Sequence, residues 1–164
     1  MFKVNIYLET SMKGPGTRNG WYAAVVEYQT KRDEIVTKEF FSEMVETTYN
    51  KSALLGALEA LKMLNVECIL TIYTDSVYMV SPFSNGNLKR WISNGFLNVK
   101  GEPIKNQKEW QQLTEQLKRH TFKFIHTKRN PYSSWMMEEA KKRVDKMAVN
   151  VEKSKCEGDF VDEH

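Results

Sequence analysis

A change of hydrophobic period in the middle of the chain limits its possible folds more than any other feature. Between Leu54 and Leu64, leucines recur at helical spacing and predict an amphipathic helix of about four turns. A nearly continuous apolar run follows from Cys68 to Thr74, which is typical of a buried strand. A helix that leads into a buried strand is the usual crossover between two parallel strands. The sequence therefore predicts an α/β sheet that contains a parallel pair.

Three strands are predicted before this helix and one near the end of the chain. Phe2–Leu8 alternates apolar and polar residues, Trp21–Tyr28 follows a tight glycine-rich connection at residues 14–20, and Glu34–Glu43 follows a charged turn. Thr121–Ile125 is predicted as the last strand. We expect a mixed five-stranded sheet, in which three antiparallel strands are followed by two parallel ones, with helices on both faces.

Further helices are predicted at Val77–Phe83, Leu88–Asn94 and Lys108–Lys118, and a last one, capped by Ser133 or Ser134, runs to about Val149. Thr48 and Asn50 precede the leucine-rich helix as candidate caps. At 164 residues the chain is expected to form one domain, residues 1–150, followed by a polar tail, residues 151–164.

The charge distribution points to a partner that carries phosphate. Residues 85–130 contain ten Lys and Arg against three acids, although the whole chain has a net charge of only +3. Such a basic segment is expected of a protein that contacts nucleic acid, and a solvated basic surface is the alternative. No segment approaches the roughly 20 apolar residues of a membrane span, so we expect no membrane partner and a cytoplasmic location.

Two acidic residues stand at the ends of predicted strands. Glu9 ends the first strand, and Asp75 ends the buried strand. Open α/β sheets place their sites at the carboxyl ends of strands. Two carboxylates delivered there from distant parts of a chain indicate a site for a divalent metal ion, because such ions prefer oxygen ligands.

The order of these elements, together with several motifs, resembles the ribonuclease H family, whose members cut the RNA strand of RNA/DNA hybrids. The resemblance covers residues 3–149, and its first motif is Val4–Ser11, where the family has a strand that ends in Asp-Gly-Ser. The other motifs, in chain order, are Gly14-Pro15-Gly16 before Trp21, Thr47-Thr48-Tyr49-Asn50, Leu58-Glu59-Ala60-Leu61, Thr74-Asp75-Ser76 with Tyr78, Trp91–Phe96, Pro103–Asn106 with Trp110, and His126.

The resemblance implies a two-metal site built from four acids, of which this chain retains two. Glu9 stands at the first position, Ala53 at the second and Asp75 at the third. The fourth falls on Met137, or on Met136 if the loop is aligned without a gap. Alanine and methionine offer no oxygen to a hard cation, so Mg²⁺ or Mn²⁺ is expected to bind weakly if at all.

Other acids are weak substitutes for the missing pair. Glu138 is close to the fourth position and is the candidate third metal ligand, although acids in a first helical turn also complement the helix dipole. Glu59 is expected to point away from the face of Ala53, in the same sector as Lys62. Glu46, in the predicted loop before the central helix, is a weaker candidate.

The resemblance also assigns residues to nucleic-acid contact. Thr48 and Asn50 match positions that contact the hybrid backbone, with helix capping as the alternative role. The region corresponding to the basic protrusion of bacterial members, residues 88–110, is called the handle below; Trp91 and Phe96 are expected to form its core rather than to stack on bases. The cations expected to follow the phosphate backbone are Lys89, Arg90, Lys100, Lys105 and Lys108.

Two hypotheses follow from these residues. The first is a slow ribonuclease H that holds its metals with Glu9, Asp75 and Glu138 and is assisted by the loop histidine, His126, which is otherwise structural or solvated. The second is a non-catalytic module derived from such an enzyme, which binds RNA/DNA hybrid, another duplex or a protein partner through the handle.

Overall fold

The computed structural model describes residues 2–146 of the chain. The strands are Phe2–Thr10 (β1), Thr17–Gly20 (β2), Tyr22–Gln29 (β3), Ile35–Phe41 (β4), Val45–Thr48 (β5), Cys68–Thr74 (β6) and Thr121–His126 (β7). The helices are Tyr49–Lys62 (α1), Val77–Ser84 (α2), Asn87–Asn94 (α3), Gln107–Leu117 (α4) and α5, described over residues 133–146. None of the helices within residues 2–146 combines the length and the apolarity needed to cross a bilayer.

β1 lies at the centre of a five-stranded sheet with the order β4-β3-β1-β6-β7. It pairs antiparallel with β3 and parallel with β6, so that Ile6 lies opposite Val26 on one side and Ile72 on the other. β4 extends the antiparallel half, and β7 extends the parallel half. The predicted mixed sheet is confirmed, because the α1 crossover returns β6 parallel to β1.

A second, two-stranded sheet replaces the plain connection that we predicted for residues 14–20. β2 pairs antiparallel with β5, with Thr17 opposite Thr48 and Gly20 opposite Val45. The pairing joins polar segments that are far apart in the sequence, so no hydrophobic alternation indicates it. Glu46 therefore lies in a strand rather than in a loop, and β5 ends at Thr48, one residue before α1 begins.

The amino-terminal cap of α1 is Thr48, whose hydroxyl accepts a hydrogen bond of 3.2 Å from the backbone N–H of Lys51. Asn50 is already inside the helix, so its prediction as a cap is wrong. Leu54, Leu58 and Leu61 are buried in the main core with side chains of the sheet. Burial of each such leucine contributes about 1.5–3 kcal/mol, which explains why the leucine period was informative.

Trp110 of α4 joins the handle to the body of the protein. Its side chain is fully buried, and its ring centroid lies 5.4 Å from that of Trp91 in α3. Its indole N–H donates a hydrogen bond of 2.9 Å to the hydroxyl of Tyr78 in α2. Phe96 is also partly buried against the main core. Trp91 and Phe96 are thus core residues of the handle, as the sequence predicted.

The opposite face of the sheet is covered by α5. Met136 is fully buried there with Tyr7, Ala23 and Val25. Beside this cluster the Tyr7 hydroxyl donates to a carboxylate oxygen of Glu27 at 3.4 Å. Burial, followed by the charge of Glu27, raises the pKa of Tyr7 to about 12, so this hydroxyl remains a donor at ordinary pH. Helices on both faces of the sheet are confirmed.

The cap of α5 differs from the prediction of Ser133 or Ser134. The side-chain oxygen of Asn130 accepts a hydrogen bond of 2.9 Å from the backbone N–H of Tyr132. The backbone carbonyl of Asn130 accepts a hydrogen bond of 3.1 Å from the backbone N–H of Ser133. The Ser133 hydroxyl accepts in return from the backbone N–H of Asn130, at 3.0 Å. The two side chains form a reciprocal cap that starts one turn earlier than expected. The predicted helix end at Val149 lies outside the described residues.

Two glycines allow a direct test of how closely α1 and β2 approach the sheet. A Cβ on Gly56 in α1 would lie 3.8 Å from its nearest neighbours, which is an ordinary contact. Gly56→Ala should therefore raise the free energy of unfolding by about 0.5–1 kcal/mol, because alanine favours the helix. Chemical denaturation of both proteins measures this change.

Gly20→Ala is the matched control for Gly56→Ala. Its Cβ would lie 2.4 Å from the Ser11 hydroxyl oxygen and 2.5 Å from Cγ of Met12, which is fully buried and has no room to move. This variant should lose about 1–3 kcal/mol of unfolding free energy through overpacking. A gain in stability for Gly20→Ala, or a loss for Gly56→Ala, would contradict the packing described.

Candidate active site

The ends of β1 and β6 bring Glu9 and Asp75 to the same edge of the sheet. The parallel register pairs Tyr7 with Tyr73, and two residues further along each strand lie the two acids. The side chain of Glu9 is only 4% exposed and that of Asp75 is 21% exposed. The carboxylate pair proposed from the sequence is therefore assembled in the structure, and it lies mostly out of water.

A lysine side chain joins the two carboxylates. Lys13 Nζ lies 2.9 Å from Oε1 of Glu9 and 3.1 Å from Oδ2 of Asp75. Burial acts to lower the pKa of Lys13, but its hydrogen bonds to the two acids and their charges outweigh burial and raise it. The ammonium group therefore stays positively charged, and it directly offsets the charge of both acids.

Tyr49, the first residue of α1, holds the other oxygen of Asp75. Its hydroxyl donates a hydrogen bond to Oδ1 of that carboxylate. Burial raises the pKa of the Tyr49 hydroxyl, and the hydrogen bond to Asp75 raises it further. The hydroxyl thus keeps its proton. Nearby, the hydroxyls of Thr10 and Ser52 lie 3.0 Å apart and connect the end of β1 to the first turn of α1.

The two replaced positions carry apolar side chains. Ala53 is 7% exposed and belongs to the main core. Met136 is fully buried, whereas Met137 is 39% exposed. Met136 therefore packs in the core and Met137 faces solvent, while the assignment of Met137 to the fourth position stays a prediction. Both replaced positions therefore lack a group that binds a hard cation.

The side chains present do not fit a two-ion magnesium site. Within residues 2–146, no three His, Cys, Asp or Glu side chains are arranged so that they could hold a metal ion. Glu138 is exposed on α5 and does not join Glu9 and Asp75 in such a group. Glu59 pairs with Lys62 at 3.1 Å, which agrees with the prediction that the two residues share one sector of α1. The remaining donor set is two carboxylates that already share one ammonium group.

His126 is brought next to Asp75, although not to its carboxylate. β7 pairs parallel with β6, which places His126 beside Thr74. Its Nε2 lies 3.1 Å from the backbone carbonyl oxygen of Asp75, and the ring is exposed. The imidazole thus sits at the rim of the site, in contact with solvent. Its catalytic role stays a prediction.

Several of the proposed nucleic-acid contacts line one open cavity of about 180 Å³. The amino end of α1, the glycine-rich turn and the loop before α4 surround it. Its lining residues are Gly14, Pro15, Gly16, Thr48, Tyr49, Asn50, Lys105 and Asn106. A helix amino terminus with a lysine and amide groups around it suits a phosphate. Thr48 lies here and caps α1 as well, so its two proposed roles are compatible.

The cations of the handle face solvent. Lys89, Arg90, Lys100, Lys105 and Lys108 are all exposed. Arg90 donates a hydrogen bond of 2.7 Å to the side chain of Asn87 on its own helix, which limits its motion. The handle therefore presents positive charge on a folded segment, which the buried Trp110 packs against the core.

The sequence did not indicate Lys13 as part of the site and gave Tyr49 only as a member of the motif before the central helix. The spacing of four residues between Glu9 and Lys13 is a weak signal, because β1 ends between them. The bridge depends on a long side chain that turns back toward the strand end. Tyr49 reaches Asp75 across 26 positions of sequence, a distance that only the folded chain closes.

The strand order, with acids at the ends of the two central parallel strands, defines the ribonuclease H-like class of α/β proteins. The model of the family described as RNase H matches residues 2–152. The chain belongs to the ribonuclease H family.

Relatives and solved structures agree with this placement. Ribonuclease H of Rickettsia bellii is 33% identical over 156 residues, which cover 95% of this chain and 96% of that protein. Ribonuclease H of Moorella thermoacetica is 34% identical over 128 residues, which cover 78% of this chain and 80% of that protein.

Among solved structures, a type 1 enzyme with the type 2 active-site motif, LC9-RNase H1, shares the fold with a TM-score of 0.67 at 22% identity, covering 86% of this chain and 73% of that chain. The foamy viral protease-reverse transcriptase in complex with RNA/DNA hybrid has a TM-score of 0.55 at 14% identity, covering 85% of this chain and 19% of that chain.

Neighbouring methionines of α5 test which side of the helix faces the core. Met136→Ala should lower the free energy of unfolding by about 2–5 kcal/mol, because it leaves a cavity beneath the sheet. Met137→Ala should change it by less than about 0.5 kcal/mol, because the side chain is partly in water. Thermal and denaturant unfolding measure both. Equal losses for the two variants would contradict the assignment of Met137 to the solvent side.

Proposed function

We propose that this protein is a ribonuclease H-like nucleic-acid-binding protein that engages RNA/DNA hybrids or another duplex and cleaves them weakly or not at all. One observation carries the proposal: the retained acids, Glu9 and Asp75, are held by Lys13 and Tyr49, while Ala53 replaces a third acid. The surface that would contact a phosphate backbone keeps its exposed cations.

Electrostatics disfavours efficient cleavage. Two-metal hydrolysis needs carboxylates that hold both ions, so that one activates the attacking water and the other stabilises the leaving oxygen. Each missing acid weakens metal affinity and removes stabilisation that the transition state requires. Here Glu9 and Asp75 carry two negative charges, and Lys13 cancels one of them. Mg²⁺ or Mn²⁺ is accordingly proposed to bind weakly.

Both the positions and the charges of the residues around the start of α1 favour duplex binding. Lys105 lines the cavity at the start of α1, where Thr48 and Asn50 also lie, and so connects the handle to that helix end. A line of cations and helix-terminal N–H groups suits a phosphate backbone. Family relatives carry the name ribonuclease H, and the foamy viral structure holds an RNA/DNA hybrid, which supports a hybrid as the first ligand to test.

The second candidate function is a protein-interaction module derived from ribonuclease H. The same exposed cations, combined with a carboxylate pair that lacks its partners, favour it over the hypothesis of a full enzyme assisted by Glu138. An acidic protein surface would then occupy the handle instead of a duplex. The absence of any duplex binding at low salt would favour this candidate. A cytoplasmic location is proposed from the sequence alone.

The first functional prediction concerns cleavage. With a labelled RNA/DNA hybrid and Mg²⁺, the protein should cut at least about 1,000-fold more slowly than a relative with four acids, since two groups that stabilise transition-state charge are gone. Its rate should not differ from that of Asp75→Asn. Product formation on a denaturing gel measures both rates. Rapid cleavage that Asp75→Asn abolishes would overturn the proposal.

Restoring the missing acids tests the same proposal by gain of function. The triple variant Glu9→Asp, Ala53→Glu and Met137→Asp should acquire Mg²⁺-dependent cleavage, because it restores four carboxylates. The control variant Glu9→Asp, Ala53→Gln and Met137→Asn has side chains of the same size without the added charge, and it should remain inactive. Circular dichroism establishes that both are folded. Cleavage by the control would show that charge is not what is missing.

The second functional prediction concerns duplex binding. Five phosphate contacts would make the affinity for a labelled hybrid fall about 500-fold between 50 and 200 mM salt. Alanine at the five handle cations should weaken binding and flatten this dependence, which fluorescence anisotropy measures. The matched control replaces five exposed cations outside the handle, Lys3, Lys31, Arg32, Lys38 and Lys62. Equal effects of the two sets, or affinity that does not depend on salt, would reject the handle as the binding surface.

A further inference from the structure

We infer that the ammonium group of Lys13 is the built-in counter-ion of the Glu9–Asp75 pair and takes the place that a divalent metal ion would otherwise have there. The ribonuclease H family is associated with divalent metal, and the donor set of this chain does not fit that role. Lys13 is a further cause of this poor fit, because its positive charge competes with a metal ion for the carboxylate oxygens of Glu9 and Asp75.

The bridge made by Lys13 differs from the other ion pairs of the described chain. Its Nζ is within 3.1 Å of carboxylates from two separate strand ends. The ion pairs of the remaining cations in residues 2–146 each join one carboxylate, and those are Lys51–Glu109, Lys62–Glu59, Lys118–Glu115 and Arg143–Glu139. Two partners from different strands hold an ammonium group more strongly than one flexible surface partner does.

The backbone that carries Lys13 is anchored, so the side chain starts from a fixed point. Met12, the residue before it, is fully buried, and its N–H donates a hydrogen bond of 3.1 Å to the Thr10 hydroxyl. The N–H of Ser11 donates to the carbonyl of Trp21 at 3.0 Å. The turn after β1 therefore delivers Lys13 beside the strand ends, with its side chain 46% exposed.

Three of the four carboxylate oxygens are already engaged by donors of the chain. Oδ2 of Asp75 accepts from Lys13, and Oδ1 accepts from the Tyr49 hydroxyl. Oε1 of Glu9 accepts from Lys13 and, at 3.3 Å, from the backbone N–H of Thr10. A divalent ion that coordinates this pair has to displace the ammonium group, and it gains at most two carboxylates in exchange. Removing Lys13 frees Oδ2 of Asp75, leaves Oε1 of Glu9 with the Thr10 N–H alone, and doubles the local negative charge.

The experiment is calorimetric binding of Mn²⁺ to the full chain without nucleic acid. Lys13→Met keeps most of the aliphatic stem and removes the charge, and it should raise Mn²⁺ affinity at least about tenfold over the unaltered protein. Lys13→Arg keeps the charge and should match the unaltered protein. Lys62→Met is the control for loss of a lysine that pairs with one glutamate at 3.1 Å, and it should also leave the affinity unchanged.

The inference is overturned if Lys13→Met binds Mn²⁺ no more tightly than the unaltered protein, or if Lys13→Arg gains as much as Lys13→Met. Thermal unfolding gives an independent readout. Lys13→Met should melt at a lower temperature than the unaltered protein in chelator, because two partly buried acids lose their counter-charge, and Mn²⁺ should restore the loss. A melting temperature that Mn²⁺ leaves unchanged would reject the inference.

A second variant keeps the test decisive if Lys13→Met does not fold. Tyr49→Phe removes the donor to Oδ1 of Asp75 and keeps the ring, so it should raise Mn²⁺ affinity by a few-fold, less than removal of the charge. No gain in Tyr49→Phe would count against the inference. Because no nucleic acid is present, these outcomes are separate from the cleavage and duplex-binding tests of the proposed function.

Discussion

The parallel pairing of β1 with β6 is the constraint on which the rest of the site depends. Because Tyr7 lies opposite Tyr73, both strands end at one edge of the sheet, and Glu9 and Asp75 have to share it. Two carboxylates that are held close together and largely shielded from water disfavour each other's charge. The fold itself thus creates an excess of negative charge, which something positive has to offset.

In this chain the offset comes from its own side chains. Lys13 bridges the two acids, and Tyr49 donates to Asp75 from the start of α1. The replacement of a further acid by Ala53 is consistent with this arrangement, because one ammonium group suffices for two carboxylates but not for four. The two acids and their donors therefore form one connected electrostatic group at the strand ends.

The sequence predicted most of the architecture and only part of the site. The leucine period of α1 and the apolar run of β6 are strong local signals, because each reflects burial on one element. The β2–β5 ribbon was missed because its strands are polar and pair over a long separation. The bridge of Lys13 was missed for a related reason: a flexible side chain meets two partners that become neighbours only in the folded sheet. The cap of α5 lies about one turn before the predicted serines, since several polar residues near that helix start are chemically equivalent candidates.

The packing of Trp110 has a consequence for substitutions at the strand ends. Trp110 donates to Tyr78, whose hydroxyl in turn donates at 3.3 Å to the carbonyl of Lys105, and α2, which carries Tyr78, starts two residues after Asp75. The basic surface is thereby fixed to the core by aromatic contacts that involve none of the acidic residues. Substitutions at the strand ends therefore leave the contacts between the basic surface and the core in place.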